Sequence, residues 1–75
     1  MTEADAQLSA ELRALGEMLG DTRMRFHKRQ TPFASSERLI ALDGEINAAL
    51  ASAPSPALQA EVRRLTGELR ALDPH

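Results

Sequence analysis

The residues best suited to acid-base or metal chemistry are two histidines, and their surroundings give little support for catalysis. His27 lies in a basic stretch and His75 is the last residue. Cysteine, tryptophan and tyrosine do not occur, and no Glu-x-x-His pattern supplies the second ligand of a bundle metal site. A histidine needs a positioned partner to act as a base or a metal ligand. We therefore expect no catalytic residue, no cofactor and no metal, with His27 exposed near a helix terminus.

Residues 23–29 form a basic segment in a chain whose net charge is −2. No acidic residue interrupts its four cations, Arg23, Arg25, Lys28 and Arg29. One interpretation is an anion or nucleic-acid contact that uses all four. The other is a solvated helix end that favours its own dipole and pairs locally, for example Asp21 with Arg25. The second is favoured, because the chain as a whole is acidic and four cations without a series of interleaved aromatic side chains form a weak footprint.

Large apolar residues alternate at spacings of four and three in three stretches, which places each set on one face of an α-helix. The stretches are Leu8, Leu12, Leu15, Leu19 and Phe26; Leu39, Leu42, Ile46, Ala49 and Ala53; and Leu58, Val62, Leu65, Leu69 and Leu72. No strand pattern or internal repeat accompanies them. The pattern predicts an all-α fold, either a helical hairpin or a three-helix bundle, with seams resembling those of a coiled coil.

Proline divides the chain into three predicted helices at about 3–30, 32–52 and 56–73, within a single small domain of 1–75. The first is the longest. The second begins at either Thr31 or Ser35, since both can cap a helix. Ser55 and Pro56 provide a cap and a first-turn proline for the third. The short link between the second and third helices predicts antiparallel neighbours. The second also carries Ile40 and Leu50 beside its stripe, which predicts a central position.

A chain of 75 residues without disulfides has little core to stabilise it, so self-association or a partner is expected. In a simple bundle, the first helix would extend beyond the other two. This overhang would have no partner within the chain. The predicted partner or oligomer interface therefore lies on the first helix. Its residues are Leu8, Leu12, Leu15, Met18, Leu19 and Phe26.

Three further features remain open at the level of sequence. Met24 lies almost opposite the first stripe, and it can be exposed or covered. Met18 is expected to widen the core and Phe33 to fill the corner between helices, although both residue types also suit adaptable partner surfaces. Gly16 and Gly20 lie one turn apart beside the first stripe, which favours a close helix crossing.

These patterns predict a small non-catalytic protein-protein interaction module, such as an adaptor, a co-chaperone or a regulatory subunit. It would act by burying leucine-rich helix faces in a homo-oligomer or on a larger partner. The alternative is a dimeric nucleic-acid-associated regulator that uses residues 23–29. The acidic opening and the lack of a long apolar run predict a cytoplasmic protein without a membrane association.

Overall fold

The computed structural model describes residues 3–29 and 32–73. They form three α-helices: α1 (Glu3–Arg29), α2 (Phe33–Leu50) and α3 (Pro56–Leu72). Each helix contacts both of the others, in an elongated body of 42 × 17 × 17 Å. The predicted three-helix bundle with the longest helix first is confirmed. Gln30 and Thr31, where the first break was predicted, and His75 lie outside the described residues.

Ion pairs between the helices show how the helices run relative to one another. Arg63 of α3 lies 3.6 Å from Glu11 near the start of α1, and Asp73 just after α3 contacts Arg25 near the end of α1. The two helices are therefore parallel. α2 runs antiparallel to both, as the short link 51–55 to α3 requires.

The helix ends follow local capping chemistry. The Ser55 side-chain oxygen accepts a hydrogen bond from the Leu58 N–H at 3.0 Å, and Pro56 occupies the first turn of α3 as predicted. α2 begins at Phe33 after Pro32, without a side-chain cap. Ser35 therefore lies inside α2 and does not start it.

The three apolar stripes form a single core. Its buried apolar residues are Leu8, Leu15, Leu19, Phe26, Leu39, Leu42, Ile46, Ala49, Leu58, Val62, Leu65 and Leu69. Leu12, Met18 and Leu72 pack against this core and are partly buried. Met18 widens the core as predicted. Ala53 lies beyond the end of α2 and is exposed.

Several sequence predictions about the apolar residues of α2 are wrong. Ile40 is 72% exposed and Leu50 is 43% exposed, so neither widens the core and α2 has no central position. Phe33 is 77% exposed and does not fill a corner between helices. Phe33, Ile40 and Leu50 are exposed for the same reason. α2 is apolar on more than one side, but only one narrow stripe is needed to contact α1 and α3.

The glycines of α1 do not mark a close crossing within the bundle. A Cβ atom added at Gly16 or Gly20 would meet no atom of another part of the chain within 4 Å. The same is true at Gly44 and Gly67. The crossing predicted from the spacing of Gly16 and Gly20 is therefore not found.

Candidate functional site

The predicted interface on α1 lies inside the bundle. Leu8, Leu15, Leu19 and Phe26 are buried in the core, and Leu12 and Met18 pack against it. The buried positions extend over most of α1, so the overhang does not leave a free section of this seam. A partner reaches the four buried residues only if the helices of the chain separate, whereas Leu12 and Met18 are partly exposed.

The basic segment contributes one of its four cations to an interhelical hydrogen-bond cluster. Arg25 Nε donates to Asp73 Oδ1 at 2.7 Å, and Arg25 Nη2 donates to Asp73 Oδ2. The fully buried Thr22 donates its hydroxyl to Asp73 Oδ2 at 3.3 Å. Hydrogen bonding to Asp73 raises the pKa of Arg25, and the charge of Asp21 adds a smaller effect in the same direction. The main partner of Arg25 is therefore Asp73, 48 residues away, and not the predicted Asp21.

The other three cations occupy different positions around the end of α1. Arg23 lies 3.8 Å from Asp43 of α2. Lys28, Arg29 and the neighbouring His27 have exposed side chains. Arg23 and Arg25, both among the predicted anion contacts, thus have part of their charge offset by carboxylates of neighbouring segments.

The Asp73 cluster leads to a testable prediction about stability. An acid at a helix C-terminus is opposed by the helix dipole. We expect Asp73→Asn to lower Tm by several degrees, because Arg25 and Thr22 lose the charged acceptor that joins α1 to the end of α3. In an Arg25→Met background, the same change should have little effect or raise Tm. Thermal unfolding followed by circular dichroism on the four variants completes the double-mutant cycle. Additive effects would contradict the coupling.

A shallow groove of about 280 Å³ lies between α1 and α3. The buried Leu15 and Val62 lie at its base, and Glu11 and Arg63 are among its charged lining residues. Glu11 Oε2 is buried without a hydrogen-bond partner among the described residues, while Oε1 is 3.6 Å from Arg63 Nη2. The Thr66 hydroxyl donates to the Val62 carbonyl of its own helix. The groove thus presents one ion pair and no activated nucleophile within the part of the chain described.

Residues 3–29 and 32–73 contain neither a metal-binding cluster nor a membrane-spanning helix. No three His, Cys, Asp or Glu side chains come close enough together to hold a metal ion. None of the three helices combines the length and the apolar character that crossing a bilayer requires.

One surface that sequence reasoning missed is the side of α2 that points away from the core. Phe33 and Ile40 lie seven residues apart, two helical turns, and therefore on the same side of α2. We call this surface the α2 outer face. Its exposed residues are Phe33, Glu37, Ile40, Ala41, Gly44, Asn47, Ala48 and the capping residue Ala51.

Three of the four charged residues of α2 lie off this face. Arg38 pairs with Glu68 of α3, Asp43 with Arg23 of α1, and Glu45 with Arg64 of α3. These pairs border the core, where the helices meet. Within residues 33–50, Glu37 is the charged residue left on the α2 outer face. The surface is therefore nearly uncharged along its whole length.

Such a face is unusual for a helix with one side in water. The solvent side of an amphipathic helix normally carries charged and polar residues, and a helix apolar all round is normally covered. The exposed Met24 of α1 provides a contrast: at 59% exposure it lies between Arg23 and Arg25, where a single apolar side chain needs no explanation. The spacing of Phe33 and Ile40 is the available sequence signal, but the apolar pattern places Ile40 beside the buried stripe and Phe33 in the corner between helices.

The chain matches no protein-family model, no curated protein and no solved structure. Its fold class rests on the three helices themselves, and its function has to be inferred from the surfaces that they present.

Proposed function

We propose that this chain is a small non-catalytic protein-protein interaction module that binds through the α2 outer face. The observation that carries the proposal is the exposure of Phe33 and Ile40 on a nearly uncharged helix side. Full burial of one such side chain contributes roughly 1.5–3 kcal/mol. Two of them, two turns apart, match the anchor spacing of a helix that packs against another helix or into a groove. The three-helix core serves to hold this face in place.

Nucleic-acid binding through residues 23–29 has less support than protein binding. Arg25 forms two hydrogen bonds with Asp73, and Arg23 lies near Asp43. Both cations would have to give up or share these carboxylates to neutralise phosphates. A phosphate contact also needs enough cations on one surface, and affinity of this kind falls steeply with salt.

The proposed function is tested by comparing what the wild-type chain and two variants retain. Each is immobilised and exposed to an extract of the source cells supplemented with a tagged copy of the chain itself. Ile40→Asp places a charge at the centre of the α2 outer face. Met24→Asp makes the same change at an exposed apolar residue elsewhere. We expect at least one protein, the tagged copy included, to be retained by wild type and Met24→Asp, with an at least tenfold loss on Ile40→Asp.

Equal retention by all three proteins would contradict the proposal. Retention that is independent of Ile40 and disappears between 50 and 200 mM salt would favour the basic segment instead. Circular dichroism on the same samples establishes that each variant is folded.

A further inference from the structure

Building on the proposed function, we propose that the α2 outer face is covered by a second copy of this chain. The two α2 helices pack antiparallel about a two-fold axis. Such an interface is isologous, so one face has to be complementary to itself. The α2 outer face meets this condition in three respects: the sizes of its side chains, the lack of a Cβ at Gly44, and the positions of its polar groups.

The bulky apolar residues and most of the small residues lie in opposite halves of the face. Phe33 and Ile40 lie in the N-terminal half, while Gly44, Ala48 and Ala51 lie in the C-terminal half. With the two-fold axis level with position 42, Phe33 is opposite the partner's Ala51 and Ile40 is opposite the partner's Gly44. Every large residue then meets a small one. A parallel pair would instead place Phe33 against Phe33 and leave a gap between the glycines.

Gly44 has no evident purpose in the isolated bundle. A Cβ there would meet no other atom within 4 Å, and glycine weakens the interior of a helix. In the antiparallel pair, the missing side chain provides the space that the partner's Ile40 fills. A Cβ at the other helical glycines would also meet no atom within 4 Å, but only Gly44 lies on the nearly uncharged α2 outer face.

The polar residues of the face are compatible with the same register. Glu37 is level with the partner's Asn47, so a carboxylate acceptor faces an amide that has two N–H groups. One of these already donates to Asp43 Oδ1 at 2.7 Å within the chain. The two Glu37 residues are ten positions apart along the helices, about 15 Å at the rise of an α-helix. Their repulsion is therefore screened at physiological ionic strength.

The size of the face sets the expected strength of the dimer. A helix of 18 residues is about 27 Å long. Two such faces bury less than the roughly 1,200 Å² at which standard interfaces begin. We therefore expect a reversible dimer with a Kd on the order of 10–100 µM.

Sedimentation equilibrium of the full chain from 10 µM to 1 mM tests the dimer, and Gly44→Lys tests its location. The lysine fills the space that Ile40 of the partner would occupy and adds charge at the centre, so we expect Kd to rise at least tenfold. Lysine also favours helix more than glycine does, so the variant should fold at least as well. Gly20→Lys is the matched control on α1, where a side chain also meets no atom within 4 Å. It should leave Kd unchanged.

Engineered cysteines test the orientation, since the chain has none of its own. A disulfide requires Cα atoms within about 7 Å. A mixture of Glu37→Cys and Asn47→Cys variants should yield a mixed disulfide dimer, because these positions are opposite each other in the antiparallel register. Glu37→Cys alone should not link to itself across about 15 Å.

The outcomes separate this inference from the proposed function. A chain that stays monomeric to 1 mM, a dimer insensitive to Gly44→Lys, or a self-linked Glu37→Cys dimer each overturns the antiparallel α2 pair. If the chain is monomeric but still retains a different protein in an Ile40-dependent manner, the second-copy inference is wrong and the interaction function stands. If Ile40→Asp alters neither self-association nor retention, both are wrong.

Discussion

Leu15→Asp is expected to unfold the chain, whereas Ile40→Asp is expected to leave the bundle intact. Leu15 is fully buried and Ile40 is 72% exposed. Loss of a buried leucine side chain costs about 2–5 kcal/mol, and an unpaired buried carboxylate adds several kcal/mol. The core of so small a domain supplies only about 3–5 kcal/mol in total. The Leu15 variant should therefore have no folded population at 25 °C.

Circular dichroism at 222 nm and urea unfolding measure both effects. The Ile40 variant should retain the wild-type helical signal, with an unfolding free energy within about 1 kcal/mol of wild type. Measurements at about 0.5 µM, well below the expected dimer Kd of about 10–100 µM, keep self-association from contributing. A folded Leu15→Asp chain would mean that Leu15 is not in the core in solution. In that case the seam of α1 would be accessible to a partner, as the sequence alone suggested.

The helices and the core could be predicted from sequence because both depend on local information. The alternating spacing of apolar residues defines one buried stripe for each helix, and Pro32, Pro54 and Pro56 fix where the helices are interrupted. Every large apolar residue of the three stripes is buried or packs against the core. Of the positions assigned to the stripes, only Ala53 lies outside, beyond the end of α2.

The α2 outer face could not be predicted because it depends on which side of α2 the other two helices contact. Ile40 and Leu42 are both large and apolar and lie two positions apart. The apolar periodicity of α2 is compatible with a wide buried stripe that includes both residues. The structure buries Leu42 completely and exposes Ile40. Charge was the better signal: Arg38, Asp43 and Glu45 border the core, where they find partners on α1 and α3.

The role of Arg25 was missed for a similar reason. Its partner Asp73 is distant in sequence, and the two meet only because α1 and α3 are parallel and α3 ends level with Arg25, about one turn before the end of α1. At the other end, Pro54 and Pro56 lie beside Leu8. Pro54 and Asp73, which lie outside the helices, therefore lie near the two ends of α1. A comparison of helix lengths alone could not reveal these contacts. It therefore overestimated how much of α1 has no partner within the chain.

Replacing Gly16, Gly20 and Gly67 together by alanine is expected to raise the free energy of unfolding by roughly 2–3 kcal/mol. Each glycine lies inside a helix, and a Cβ at each would meet no atom within 4 Å. Alanine avoids the entropic cost of glycine, about 0.8–1 kcal/mol at each position. For a domain of this size, the gain corresponds to a rise in Tm of roughly 10–20 °C. Urea and thermal unfolding, followed by circular dichroism, measure it.

A fourth substitution, Gly44→Ala, distinguishes the stability of the bundle from its self-association. Added to the triple variant, it should contribute about another 1 kcal/mol to folding, since its Cβ is equally unobstructed. It should also weaken the proposed dimer, because the new methyl group occupies space needed by the partner's Ile40. The triple variant should leave the dimer unchanged. If the triple variant fails to gain stability, at least one of Gly16, Gly20 and Gly67 must be closely packed in solution. A close approach at Gly16 and Gly20 would then have to come from another copy of the chain, since the helices within one bundle leave both open.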